Sequence, residues 1–172
     1  MSCHSEIAAP YILHIATEEQ KQQWLPKMVS GEVVGAIGMT EPGAGSDLQA
    51  MRTSAILQGN HYILNGSNTF ISNGQHADLV VRAVKPDTPA RGQAISLMLV
   101  DAHLDGFKKG TNLEKIGLHS QDTSELFFDN VHVPKGQLLG QTGQGFAYLM
   151  QELPRERTAI AATALGAIRG SI

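Results

Sequence analysis

The chain has 172 residues, 42% hydrophobic and 17% charged, with a net charge of −3 at neutral pH; the length suits one domain of ordinary size, or one domain with fragments of neighbours attached, and the balance excludes a disordered chain. It offers no basic footprint for nucleic acid. No apolar run reaches the roughly 20 residues of a bilayer span, no basic-then-apolar leader opens the chain, and the single Cys3 excludes an internal disulfide and suits a reducing, cytoplasmic compartment.

In chain order, Ile7, Ala8, Tyr11, Ile12 and Ile15 recur at helical spacing, with Pro10 expected to kink or restart the turn. Thr17 and Gln20 fit a capping box that starts a second short helix carrying Trp24, Leu25 and Met28, and Ser30-Gly31 stops it. Two such helices cannot make a core alone, so they read as the tail of a helical layer.

Val33 to Gly38 then reads as a buried strand that delivers the loop Met39-Thr40-Glu41-Pro42-Gly43-Ala44-Gly45-Ser46-Asp47. Glycines at such a place let backbone N–H groups approach an acceptor-rich ligand, although a plain Pro-Gly turn after a strand has the same pattern. The Gly-x-Gly lacks the third glycine and helix start of a dinucleotide fingerprint, so no Rossmann unit is expected. Further strand-like runs are Ala55-Ile56-Leu57, Tyr62-Ile63-Leu64, Thr69-Phe70-Ile71, Leu79-Val80-Val81, Ile95 to Val100 and Leu126-Phe127-Phe128. Asn65-Gly66 is the strongest hairpin signal among them, and Pro86 to Gly92 reads as an exposed loop. Six or more short strands with frequent turns predict a closed or sandwiched antiparallel sheet.

After Pro134, Gly140, Gly143 and Gly145 lead into a helix with Phe146, Leu149, Met150, Leu153, Ile160 and Ala164 on one face. That face has no visible cover, and the chain therefore reads as a piece of a longer helix–sheet–helix protein. Glu156 sits on the same face, three residues after Leu153 and four before Ile160, where a carboxylate is a candidate buried acid or base; a solvated Glu-Arg helix face is the alternative. Pro154 removes a backbone bond from this helix, either shaping a slot or merely bending the chain. The seven histidines show no ligand spacing, so no metal site is expected.

Six stretches taken together resemble the acyl-CoA dehydrogenase family: Glu18-Glu19-Gln20-Lys21; Trp24-Leu25-Pro26 with Ser30-Gly31-Glu32; Met39 to Asp47; Leu64-Asn65-Gly66 with Phe70-Ile71-Ser72-Asn73-Gly74; Gly117 with Asp122-Thr123; and Phe127 to Pro134. The resemblance implies the end of an N-terminal helical domain over residues 1–33, an antiparallel β-barrel middle domain over 34–138, and the first helix of a C-terminal helical domain over 139–172. It further implies FAD as cofactor, α,β-dehydrogenation of a fatty acyl-CoA, an electron-transfer flavoprotein as partner, and a homo-oligomer. By the same resemblance Ile37, Met39, Thr40, Gly45 and Ser46 line the flavin, and Phe70-Ile71-Ser72 stands where the family usually has Trp-Ile-Thr against its ring. Phe70 keeps an aromatic surface without the indole N–H, and Ser72 keeps a hydroxyl. The segment Glu152 to Arg157 looks like the long-chain and isovaleryl branches, which makes Glu156 the expected base, Arg157 its neighbour, and Ser46, Pro154, Arg155 and Arg157 the expected contacts to the thioester. An acyl-CoA oxidase or flavin monooxygenase on the same scaffold, or a binding module without turnover that holds FAD weakly or not at all, are the competing readings.

Overall fold

The computed structural model describes residues 3–86 and 94–172; positions 87–92 of the expected loop lie outside the described residues. A π-helical stretch, Cys3–Ala8, runs into α1 (Ala9–Ile15). Pro10 stands in the first turn of α1, where its missing N–H has no partner to lose, so the winding restarts there. α2 (Glu18–Ser30) begins at the capping box: the Gln20 N–H donates to the Thr17 hydroxyl at 3.3 Å and the Thr17 N–H to Gln20 Oε1 at 3.0 Å. Gly31, at a left-handed φ of 80°, closes it. Gln20 is buried, and its amide also donates to the carbonyls of Gly136 and Leu138 at 2.8 and 2.9 Å. The cap residue thereby ties α2 to the far end of the sheet.

Among the described residues eight strands follow: β1 (Gly35–Gly38), β2 (Ser54–Gln58), β3 (His61–Ser72), β4 (Leu79–Pro86), β5 (Ser96–Asp101), β6 (Phe107–Asn112), β7 (Thr123–Pro134) and β8 (Leu138–Leu139). They run in the order β6-β7-β3-β2-β4-β5-β8, with β1 beside β4. Of the expected closed or sandwiched antiparallel sheet, the closure and the purely antiparallel pairing are corrected. β1 and β2 both pair parallel to β4, and among the described residues the sheet is an open path whose end strands β6 and β8 do not pair. Hydrophobic runs reveal that a segment is extended but not the direction of its neighbour, which depends on the crossovers.

The Asn65-Gly66 hairpin is also corrected. β3 passes straight through it, and the turn lies at Gly59-Asn60, where Gly59 takes a φ of 60°. Asn65-Gly66 instead marks a register shift against β7, with Asn65 Oδ1 accepting the Asn130 N–H at 2.8 Å. The Asn-Gly pair serves a bulge, which needs the same backbone freedom as a turn.

Alternate residues of β4 feed two cores. Leu79, Val81 and Ala83 pack with Tyr11, Ile12, Trp24 and Met28 of the helices, while Val80 and Val84 pack with Leu64, Met98, Leu126 and Val131. Burial on both faces explains why β4 is apolar from Leu79 to Val84 apart from Arg82. The last helix, α3 (Gly145–Gly170), buries Gly145, Leu149, Glu152 and Glu156, and from Ile160 onward every residue is exposed. No described helix is long and apolar enough to cross a membrane.

Candidate functional site

β1 ends at Gly38 and releases the glycine-rich loop between the two layers. Its tip is a tight turn: the Glu41 N–H donates to the Ala44 carbonyl at 2.9 Å and the Ala44 N–H returns to the Glu41 carbonyl at 3.1 Å. Beneath the turn the Glu41 carboxylate accepts the N–H groups of Arg52 and Thr53 at 2.6 and 3.1 Å and Arg82 Nη2 at 2.7 Å. Arg82, with no exposure at all, also donates to the Gly38 carbonyl at 2.8 Å and to the Thr53 hydroxyl, and its guanidinium stands 5.5 Å over the Phe128 ring. One side chain of β4 thus binds Gly38 just before the loop, Glu41 within it and Thr53 beyond it.

Burial pushes the Glu41 carboxyl up, but the hydrogen bonds from Thr53, Arg52 and Arg82 and the Arg82 charge outweigh it and hold Glu41 below the usual range. Burial brings Arg82 down to about 10, against the support of Glu41, so the pair is ionised at neutral pH. Neither residue stands out as a site residue from the sequence pattern around it. The available signal was a lone arginine inside Leu79-Val80-Val81-Arg82-Ala83-Val84, since a charge in a strand buried on both faces requires a partner.

The loop's outer side faces α3 across a cleft of about 500 Å³ lined by Met39, Thr40, Gly45, Ser46, Asp47, Leu48 and Gln49 and by Phe146, Met150, Leu153 and Arg157. Asp47 Oδ1 accepts the Gln49 N–H at 3.1 Å and curls the loop back under the cleft. The Thr40 carbonyl is turned away, taken by the Asn68 amide at 2.7 Å and the Thr69 N–H at 3.0 Å. Of the expected site residues, Met39, Thr40, Gly45, Ser46 and Arg157 meet in this cleft. Ile37 is half-buried against the helical core. Phe70 projects into solvent, 66% exposed, at a left-handed φ of 58° inside a second register shift of β3. Its neighbour Ile71 is core, and Ser72 pairs with Thr123. Pro154 is exposed. Arg155 points at the N-terminal segment, donating to the Glu6 carbonyl at 2.6 Å.

Glu156 is 5% exposed and faces α1, where the Tyr11 hydroxyl donates to its Oε1 at 2.8 Å. It is therefore not a solvated helix-face carboxylate. Burial raises its pKa, opposed by the Tyr11 hydrogen bond and by Arg155 and Arg157, and reinforced by Glu152. Glu152, also buried, lies 2.7 Å from His14 Nδ1. Glu156 itself is not among the cleft residues, but Leu153 and Arg157, on either side of it in α3, are.

The cleft is within the usual range for a small-ligand site. Gly43 and Gly45 have open space where a side chain would stand, so the backbone can approach a planar ring. The aromatic and thioether groups suit an apolar segment, and Arg157 suits an anion. This donor set fits the ring end of a flavin and an acyl thioester.

Residues 36–131 match the acyl-CoA dehydrogenase middle domain, and residues 1–32 match the N-terminal domain of the same enzymes. The chain belongs to the acyl-CoA dehydrogenase family. Within that family it is 51% identical over 168 residues to the mitochondrial long-chain specific acyl-CoA dehydrogenase of Rattus norvegicus, covering 96% of this chain and 39% of that protein. The crystal structure of an acyl-CoA dehydrogenase from Geobacillus kaustophilus superposes with a TM-score of 0.86 at 55% identity, over 90% of this chain and 41% of that one. An acyl-CoA dehydrogenase from Bacillus anthracis, solved in complex with FAD, superposes with a TM-score of 0.85 at 33% identity, over 90% of this chain and 27% of that one. The chain thus spans about two fifths of the length of the curated relatives it matches.

Proposed function

We propose that this chain carries the flavin- and thioester-binding part of an acyl-CoA dehydrogenase site, with residues 34–138 as the binding domain between helical segments 1–33 and 139–172. The observation that carries the reading is the cleft in which the glycine-rich loop faces α3 beside the buried carboxylate of Glu156. FAD, when bound, supplies the acceptor for the hydride that leaves the β carbon of a fatty acyl-CoA. Ile37 in β1 and Met39, Thr40, Gly45 and Ser46 in the loop would hold the cofactor, together with Phe70, Ile71 and Ser72 at the register shift of β3. Of the residues expected at the thioester, Ser46 and Arg157 line the cleft and make the contacts, while Pro154 and Arg155 lie outside its lining. Glu156 takes the α proton, and its burial keeps that carboxylate a stronger base than an exposed one.

An electron-transfer flavoprotein as acceptor, a homo-oligomer as working form and a reducing cytoplasmic location for Cys3 complete the proposal. Gly45, Ser46, Phe146 and Arg157 are all exposed at the cleft, and solvent there weakens charge stabilisation. We expect this chain to hold FAD weakly and to turn over slowly. The test is the visible spectrum after incubation with excess FAD and desalting, followed by acyl-CoA-dependent bleaching in the native chain and in Glu156→Gln. Retained flavin that bleaches in the native chain alone supports the reading, whereas equal bleaching in both removes Glu156 from the reaction.

A further inference from the structure

The two carboxylate oxygens of Glu156 have different surroundings. Oε1 accepts the Tyr11 hydroxyl at 2.8 Å, and Oε2 has no hydrogen-bond partner among the described residues. Tyr11 itself has no exposure and packs in the core with Ala8, Ile12 and Leu149, so its phenol is fixed in place. The contact joins α1 to α3 across 145 positions of sequence, and two further bonds brace the same junction. Glu152 meets His14 of α1 at 2.7 Å, and Arg155 donates to the Glu6 carbonyl at 2.6 Å.

We infer that Tyr11 is a positioning residue for Glu156: its hydroxyl anchors Oε1 and leaves Oε2 as the oxygen that receives the proton. The inference rests on the reading of Glu156 as the base. In that step the α C–H bond breaks, the proton goes to Oε2, and the electron pair stays with the carbon. Tyr11 continues to donate to Oε1 after the transfer, because the unprotonated oxygen of a carboxylic acid is still an acceptor. The side chain is therefore held alike before and after it takes the proton, which is what a base with one free oxygen needs for a repeatable approach.

A tyrosine here also favours the charged carboxylate. A hydrogen bond to an ionised acceptor is stronger than one to its neutral form, so Tyr11 limits how far burial raises the affinity of Glu156 for its proton. The other groups facing this carboxylate are Glu152, Arg155 and Arg157 on α3 and Cys3 at the start of the N-terminal stretch. The phenol is the only one of these with a hydrogen bond to Glu156 among the described residues.

The test uses Tyr11→Phe, which keeps the buried ring and removes the hydroxyl alone. In the chain labelled with carboxyl-¹³C glutamate, with the Glu156 resonance assigned through Glu156→Gln, Tyr11→Phe is expected to tighten proton binding at Glu156 by about tenfold. An unmoved Glu156 titration in a folded Tyr11→Phe chain overturns the inference. The reciprocal measurement covers the case in which that variant fails to fold. Glu156→Gln retains an acceptor but loses the charge, so the Tyr11 phenol ionises at lower pH, read by tyrosinate absorbance; no change there also overturns it. Exchange of the acyl-CoA α proton with deuterated water in the FAD-loaded chain separates the two levels. Exchange retained in Glu156→Gln defeats the base reading and the inference together. Exchange lost in Glu156→Gln, with the pH profile of Tyr11→Phe unchanged, defeats the inference alone; a profile moved toward higher pH supports it.

Discussion

Replacing Glu41 by glutamine tests whether the buried ion pair holds the glycine-rich loop. The native carboxylate is 6% exposed and neutralises a guanidinium that is completely enclosed. The Arg52 and Thr53 N–H groups bind different carboxylate oxygens, so the substituted amide keeps an acceptor for one of them and turns its NH2 toward the other, and it leaves Arg82 as an unpaired buried cation held by the Gly38 carbonyl, the Thr53 hydroxyl and the Phe128 ring. Removing one partner of such a pair costs about 3–5 kcal/mol, which for a domain of this size lowers the melting temperature by roughly 6–20 °C. Urea and thermal unfolding followed by circular dichroism measure it. The double variant Glu41→Leu/Arg82→Met, with neither charge buried, is expected to recover much of the loss. The pH dependence has a definite sign. The folded pKa of Glu41 lies below its unfolded value of about 4.3, so this stabilisation is complete above that pH and is lost as the pH falls through the folded pKa. Glu41→Gln should therefore flatten the acid side of the stability profile. A loss of under ~1 kcal/mol, the scale of an exposed pair, or an unchanged acid limb would refute the claim that this pair anchors the loop.

Gly66→Ala places a methyl group against the Thr53 side chain and backbone at a φ of 153°; it is expected to cost about 1–3 kcal/mol by overpacking, and a neutral effect in urea melts would contradict the packing described. Thr17→Ala removes the side-chain half of the capping box on α2 and is expected to cost about 1 kcal/mol, whereas Thr17→Ser should cost little in the same melts. Cys3 is buried, and burial first of all pushes its thiol up to about 11. A thiol reagent at pH 7 should therefore label it slowly in the folded chain and readily in denaturant, and rapid labelling of the folded chain would show that this corner is open.

The elements that were legible in the sequence are those whose cause is local. Thr17, Gln20 and Gly31 state where α2 begins and ends because a cap is satisfied within four residues. β4, apart from Arg82, and β5 read as apolar runs because both faces are covered. β6, Phe107–Asn112, escaped notice because an exposed edge strand with two lysines carries no alternation to read. The parallel pairing of β1 and β2 on β4 depends on contacts distant in sequence. Asn65-Gly66 misled for a related reason, since positive φ serves a bulge as well as a turn, and the partner strand decides between them.

The candidate site divides along the same line. Met39 to Ser46 could be picked out because glycine beside a hydroxyl after a strand is a local pattern, and the cleft sits there. What fixes that loop, the hydrogen bonds from Arg82 to Gly38, Glu41 and Thr53, spans as many as 44 positions. α3 shows the consequence most clearly. The sequence marks one apolar face, yet the folded helix uses two: Phe146, Met150, Leu153 and Arg157 border the cleft, while Leu149, Glu152 and Glu156 turn toward α1. Two of those three inward residues are carboxylates, so the helix docks on the N-terminal layer as much through Tyr11 and His14 as through apolar packing. The position of Glu156 is consequently set by the segment from Glu6 to His14 together with its own helix. Substitutions in α1 that leave the cleft lining untouched should alter the proton affinity of Glu156, while substitutions at Met150 or Leu153 should change ligand affinity first.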